Sequence, residues 1–127
     1  MDVLIRFGFT IEEIQNMMDS NEDILQVDDS EIEELIKLLK GIGCSLNSIK
    51  NILSCNPFYL TRGLNSIKKL LNKFYELGFS YLYILFDSNP YILNKSDTDL
   101  EELYNQKISD GLSKNEVLDF IQYNMFF

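Results

Sequence analysis

Apolar residues recur along this chain at helical spacing, in short runs separated by polar breaks, and the runs come in pairs. After Gly43, Leu46, Ile49, Ile52 and Leu53 mark one face of a short helix; the pattern breaks at Asn56-Pro57; then Ile67, Leu70, Leu71, Phe74 and Leu77 mark one face of a longer helix. The opening recurs as Gly8-Phe9-Thr10, Gly43-Cys44-Ser45, Gly78-Phe79-Ser80 and Gly111-Leu112-Ser113, at spacings of 35, 35 and 33 residues. Such a period predicts stacked helical repeats, each burying its apolar face only against its neighbours. The expected fold is all-α: a short α-solenoid, right- or left-handed, of about three to four two-helix repeats of 33–35 residues, with about seven helices. A single domain over residues 1–127 would hold repeats at about 8–42, 43–77 and 78–110 and a half repeat at 111–127.

Start and stop signals divide each repeat in the same way. Thr10 with Glu13 predicts a capping box, Ser45 caps the next short helix, and Ser113 with Glu116 caps the last. For the long helices the cap candidates form one column: Ser30 with Glu33, Asn65, and Thr98 with Glu101. Asn21, Asn56-Pro57 and Asn89-Pro90 mark the breaks, because the residue before a proline is pushed out of the helical region. Residues 22–29 read as an acidic connection. Residues 1–7 align with the end of a long helix, Leu4 and Phe7 falling where Leu39 and Ile42 fall later. Lys107 and Asp110 stand where Phe74 and Leu77 stood, so the last long helix should be wet at its far end. Met125-Phe126-Phe127 is an apolar end with no following helix to cover it, expected to fold back or to meet a second chain.

The unit Gly-x-Ser/Thr, short helix, Asn-Pro, long Leu-rich helix, Leu-Gly resembles the repeat of the mitochondrial transcription termination factor (mTERF) family, and Gly43, Ser45, Pro57, Leu77 and Gly78 carry the resemblance. It covers nearly the whole chain. It implies a curved helical solenoid that binds nucleic acid in organelles through a basic concave surface, without catalysis. The chain departs from that picture in having only about three repeats and a negative net charge. The tetratricopeptide repeat has a similar period but needs small residues where its helices cross, and this chain contains no alanine.

Charge is where the sequence is least uniform. The net charge is −9, but residues 1–34 carry −10, residues 35–75 carry +7 with no acid at all, and residues 76–127 carry −6. Lys50, Arg62, Lys68, Lys69 and Lys73 are the candidate nucleic-acid contacts on this basic band. The competing reading is an internal ladder: Lys68 and Lys69 share columns with Glu33 and Glu34 before them and Glu101 and Glu102 after them, so stacked repeats would neutralise the band. A protein partner is therefore the alternative to DNA or RNA, favoured by the acidic total and the apolar end.

Other chemistry is poorly supplied. There is no histidine, the commonest general base and metal ligand, and no Gly-rich phosphate loop. Glu22, Asp23, Asp28, Asp29 and Glu31 lack the alternation and central glycine of a calcium loop. Tyr81, Tyr83, Phe86 and Tyr91 offer a base-stacking run, though aromatics on a short helix usually pack. Cys44 and Cys55 flank one helix, about 16 Å apart at ~1.5 Å per residue, and read as buried free thiols. The expectation is a non-enzymatic binding module with no cofactor, no metal, no small-molecule substrate and no membrane span. It would be cytoplasmic, or in an organellar matrix if the chain is a processed fragment.

Overall fold

A computed structural model describes residues 2–55, 63–88, 90–91 and 95–123. Arg62, Asn56-Pro57, Asn89 and Met125-Phe126-Phe127 lie outside the described residues, so expectations placed on them stand as expectations. Among the described residues the chain forms α1 (Asp2–Arg6), α2 (Ile11–Ser20), a 3-10 turn (Glu22–Gln26), α3 (Asp29–Gly41), α4 (Leu46–Cys55), α5 (Leu64–Leu77), α6 (Leu82–Ser88), α7 (Asp97–Ser109) and α8 (Lys114–Tyr123), with no strand. The helices stack in two layers. The odd-numbered helices pack in sequence, α1 on α3, α3 on α5 and α5 on α7, and the even-numbered ones do the same. Contacts of α3 with α4 and of α7 with α8 tie the layers together. The fold is the helical-repeat solenoid that the period predicts.

Each repeat begins on the same local device. At Gly8, Gly43, Gly78 and Gly111 φ is +100°, +103°, +110° and +99°, a conformation that L side chains disfavour. The next N–H reaches back five residues: Phe9 to Leu4 (3.0 Å), Cys44 to Leu39 (3.1 Å), Phe79 to Phe74 (3.1 Å) and Leu112 to Lys107 (3.2 Å). These are four Schellman stops, and they turn the chain from one layer into the other. Three of the four short helices, α2, α4 and α8, then start on a side-chain cap. Thr10 and Glu13 form the expected box, Ser113 and Glu116 form another, and the Ser48 N–H donates to Ser45 Oγ at 3.2 Å.

The long helices start two residues earlier than the cap column suggests. Their N-caps are Asp28, Gly63 and Ser96, not Ser30, Asn65 and Thr98. Ser96 and Asp99 close a capping box at 3.1 Å in both directions, a pairing that satisfies the helix start before Thr98 is reached. Neither Asp28 nor Gly63 makes a side-chain cap bond, so the start there is set by the apolar stripe and not by capping. The acidic connection also carries more structure than its charge implies. Asn21, almost fully buried, accepts the Asp23 N–H, and the resulting 3-10 turn puts Ile24 into the core at 0% exposure.

The carbonyl position of each Schellman stop also forms a column through the core: Leu4, Leu39 and Phe74 are all fully buried. Phe74 meets Phe79 edge-on at 5.4 Å and Phe86 at 6.2 Å, fastening α5 to the following short helix. Each such aromatic pair contributes about 0.5–1.5 kcal/mol beyond area burial. The fourth member of the column is Lys107, whose ammonium sits 4.5 Å from the Phe120 ring centroid instead of in the core. Leu100 is the one buried residue of α7, and Ile108 is exposed, so the far end of this helix is wet as its sequence predicts. Pro90 lies in a turn beyond α6. No helix among the described residues is long and apolar enough to cross a membrane.

Candidate nucleic-acid interface

The basic band does not gather on one surface. Because each repeat contributes one helix to each layer, Lys50 lies on α4 in the even layer, while Lys68, Lys69 and Lys73 lie on α5 in the odd layer.

Two of these lysines are engaged by acids of neighbouring repeats. Lys50 reaches Glu13 of α2 at 3.6 Å and stands 5.9 Å from the Phe9 ring. The Thr10 N–H, which the Glu13 carboxylate accepts, holds that carboxyl below its ordinary value, and Lys50 adds to the effect. Lys73 pairs with Glu76 on its own helix at 3.0 Å and with Glu101 of α7 at 3.7 Å. The hydrogen bond to Glu76, followed by the charge of Glu101, holds its ammonium above the usual value.

Lys68 and Lys69 differ. Both are exposed, and among the described residues no ion pair joins either to an acid. The ladder expected through these two residues is therefore not formed among the described residues; the ion pairs between repeats are Lys50 with Glu13 in the even layer and Lys73 with Glu101 in the odd layer. Glu33, one of its expected partners, takes Lys37 of its own helix at 3.3 Å, an i,i+4 pairing that its helix geometry favours. Lys68 sits on the wall of two adjoining hollows between α3 and α5. One, of about 210 Å³, is lined by Leu38, Ile42, Lys68, Leu71, Asn72 and Tyr75; the other, of about 340 Å³, shares Leu38 and Lys68 and adds Glu34, Lys37 and Leu64. The aromatic residue that lines a hollow with Lys68 is Tyr75, which is 46% exposed and was not singled out by its sequence context. Its signal was there: Tyr75 breaks the apolar stripe of α5, two residues past Lys73.

The proposed stacking run disperses. Phe86 is buried in the core, Tyr83 packs over Gly43, and Tyr81 and Tyr91 are exposed, with Tyr81 edge-on to Tyr83 at 6.1 Å. A larger hollow of about 450 Å³ between the start of α6 and α8 is lined by Phe79, Tyr81, Ile84, Leu118, Asp119 and Gln122 among others, and carries no cation. Both cysteines are free thiols. Cys44 is buried, whereas Cys55, the last residue of α4, is half-buried and not buried as expected, with its thiol 3.7 Å from Asn51 Oδ1. Burial, with the charge of Asp87 adding to it, pushes the Cys44 thiol up to about 11. Among the described residues no group of three or more Cys, Asp or Glu is placed to hold a metal ion.

No curated protein and no solved structure matches the chain. A family model described as mTERF matches residues 1–124, all but the last three positions, and so takes in every repeat, every Schellman stop and the lysines of α5. With the two-layered helical stack on which those features sit, this match means that the chain belongs to the mTERF family.

Proposed function

We propose that the protein is a non-enzymatic helical-repeat module that binds nucleic acid through the outer face of α5, with Lys68 and Lys69 as its principal phosphate contacts. Membership of a family of nucleic-acid-binding repeat proteins supports the ligand class. The observation that carries the choice of residues is that Lys68 and Lys69 are the candidate lysines left without an ion pair or a ring contact among the described residues, whereas Lys40, also without an ion pair, stands over the Phe7 ring at 4.7 Å. Lys50 and Lys73 are already partnered by Glu13, Glu76 and Glu101 and would have to exchange those partners to meet phosphate. Arg62 belongs to the same proposal. The acidic flanks repel the same polymer within a Debye length of about 8 Å at physiological salt, so binding should be in the micromolar range or weaker.

A protein partner is the second reading, and one observation favours it. Ile11 and Leu46 open α2 and α4, and Tyr81 immediately precedes α6; they occupy one column at 35-residue spacing and are 78%, 38% and 68% exposed. Fluorescence anisotropy of labelled single-stranded and duplex oligonucleotides, with Lys68→Glu/Lys69→Glu beside the parent chain, separates the two. The nucleic-acid reading expects binding that the double variant loses at an unchanged melting temperature. Absence of binding to every oligonucleotide overturns it in favour of the protein partner.

A further inference from the structure

We propose that the paired hollows between α3 and α5 form a seat for one unpaired nucleotide of a single-stranded RNA. The inference rests on the nucleic-acid reading above and goes further, to the kind of nucleic acid and the part of it that is held. The smaller hollow has an apolar floor of Leu38, Ile42 and Leu71, with Tyr75 on its rim and Asn72 beside it. An exposed aromatic face gives a base something to stack on, and a side-chain amide offers both a donor and an acceptor to a base edge. Bases held in a duplex are already stacked and paired, so this arrangement favours an unstacked one.

The adjoining hollow suits what is attached to a base. Lys68 stands on the wall common to both hollows, and Lys37, paired with Glu33 at 3.3 Å, lines the second, so a phosphate entering there meets the unpaired ammonium of Lys68 and a second cation that must exchange its partner. Glu34 lines the same hollow. A carboxylate accepts hydrogen bonds and repels phosphate, which makes Glu34 a poor neighbour for a deoxyribose strand and a good one for the 2′-hydroxyl, a donor that only RNA supplies. Base, sugar and phosphate thus each find a chemically matched wall within two hollows that share Leu38 and Lys68.

The test compares one sequence as single-stranded RNA, single-stranded DNA and duplex RNA, on the parent chain and on Tyr75→Ala, Tyr75→Phe and Glu34→Gln, with a thermal melt of each. Both positions are exposed, so the variants should fold. Expected results are tightest binding to single-stranded RNA, a loss of about 5- to 150-fold for Tyr75→Ala with Tyr75→Phe retaining affinity, and a smaller RNA-over-DNA preference for Glu34→Gln. The inference is overturned if duplex is preferred, or if Tyr75→Ala and Glu34→Gln bind RNA like the parent. If Lys68→Glu/Lys69→Glu still abolishes binding in that case, the nucleic-acid reading survives without this seat; if no nucleic acid binds at all, both fall together.

Discussion

Replacing Gly43 with alanine should cost far more than the same change at Gly111, and the difference measures how tightly successive repeats fit. The two glycines hold nearly the same left-handed backbone, φ +103° and +99°, so each substitution carries a similar strain of about 1–2 kcal/mol. What a new Cβ would meet is different. At Gly111 nothing lies within 4 Å, whereas at Gly43 the Cβ would stand 2.7 Å from Cδ1 and 3.2 Å from Cγ of Tyr83, on the next repeat's short helix. An aromatic ring packed over backbone must shift bodily, and such overpacking typically costs about 1–3 kcal/mol. Gly111→Ala should therefore lose about 1–2 kcal/mol and Gly43→Ala about 2–5 kcal/mol. At roughly 3–5 °C per kcal/mol for a chain of this length, the melting temperatures should drop by about 3–10 °C and about 6–25 °C. Urea unfolding followed by circular dichroism reads both free energies, and repeating Gly43→Ala in a Tyr83→Ala background isolates the contact. Equal losses at the two glycines, or a Gly43→Ala cost undiminished without the Tyr83 ring, would refute the close approach of these repeats.

Two further outcomes are expected from groups already placed. At pH 8 the native protein should be alkylated at Cys55 well before Cys44, because the thiolate is the reacting form and burial keeps Cys44 protonated to about pH 11; mass spectrometry of partly labelled protein checks the order, and equal labelling would show that Cys44 is not enclosed. Backbone donation from Thr10 lowers the Glu13 carboxyl below its ordinary value, and donation from Ser113 does the same to Glu116. Their contribution is therefore fully present above the unfolded carboxyl value and is lost as pH falls from about 5 through the lowered values. Glu13→Gln/Glu116→Gln should flatten that part of the stability profile, and an unchanged acid limb in urea titrations would count against the capping boxes.

The repeat period was legible because its physical causes are local. A left-handed helix stop needs glycine and the short helix after it needs a side-chain acceptor, so Gly8, Gly43, Gly78 and Gly111 stand out with Thr10, Ser45 and Ser113 without any tertiary information. The starts of the long helices were displaced by two residues because Gly63 has no side chain and Asp28 makes no cap bond, which leaves Ser96 alone with a visible cap, and similarity of residue type pointed to Ser30, Asn65 and Thr98. The charge band was legible as composition but not as a surface. Which layer a lysine occupies, and whether Glu13 or Glu101 lies within reach of it, depends on how repeats stack, and linear order does not carry that. Tyr75 escaped notice for the same reason, since only the approach of Leu38 on α3 and Ile42 at its end turns it into the rim of a hollow.

The salt dependence of nucleic-acid binding tests the central claim most directly, because its slope counts the cations that meet phosphate. If Lys68 and Lys69 are the contacts, log affinity should fall against log salt with a slope of about 1.4 on a single strand and about 1.8 on a duplex. Between 50 and 200 mM salt that is a loss of about 7-fold or about 12-fold, and Lys68→Glu/Lys69→Glu should abolish the binding without lowering the melting temperature. A slope near 2.8 on a single strand, with the ion pairs of Lys50 and Lys73 giving way as well, would mean that four cations, Lys50 and Lys73 besides Lys68 and Lys69, engage the polymer. No binding at any salt, or a double variant that binds like the parent chain, would contradict the assignment of this face.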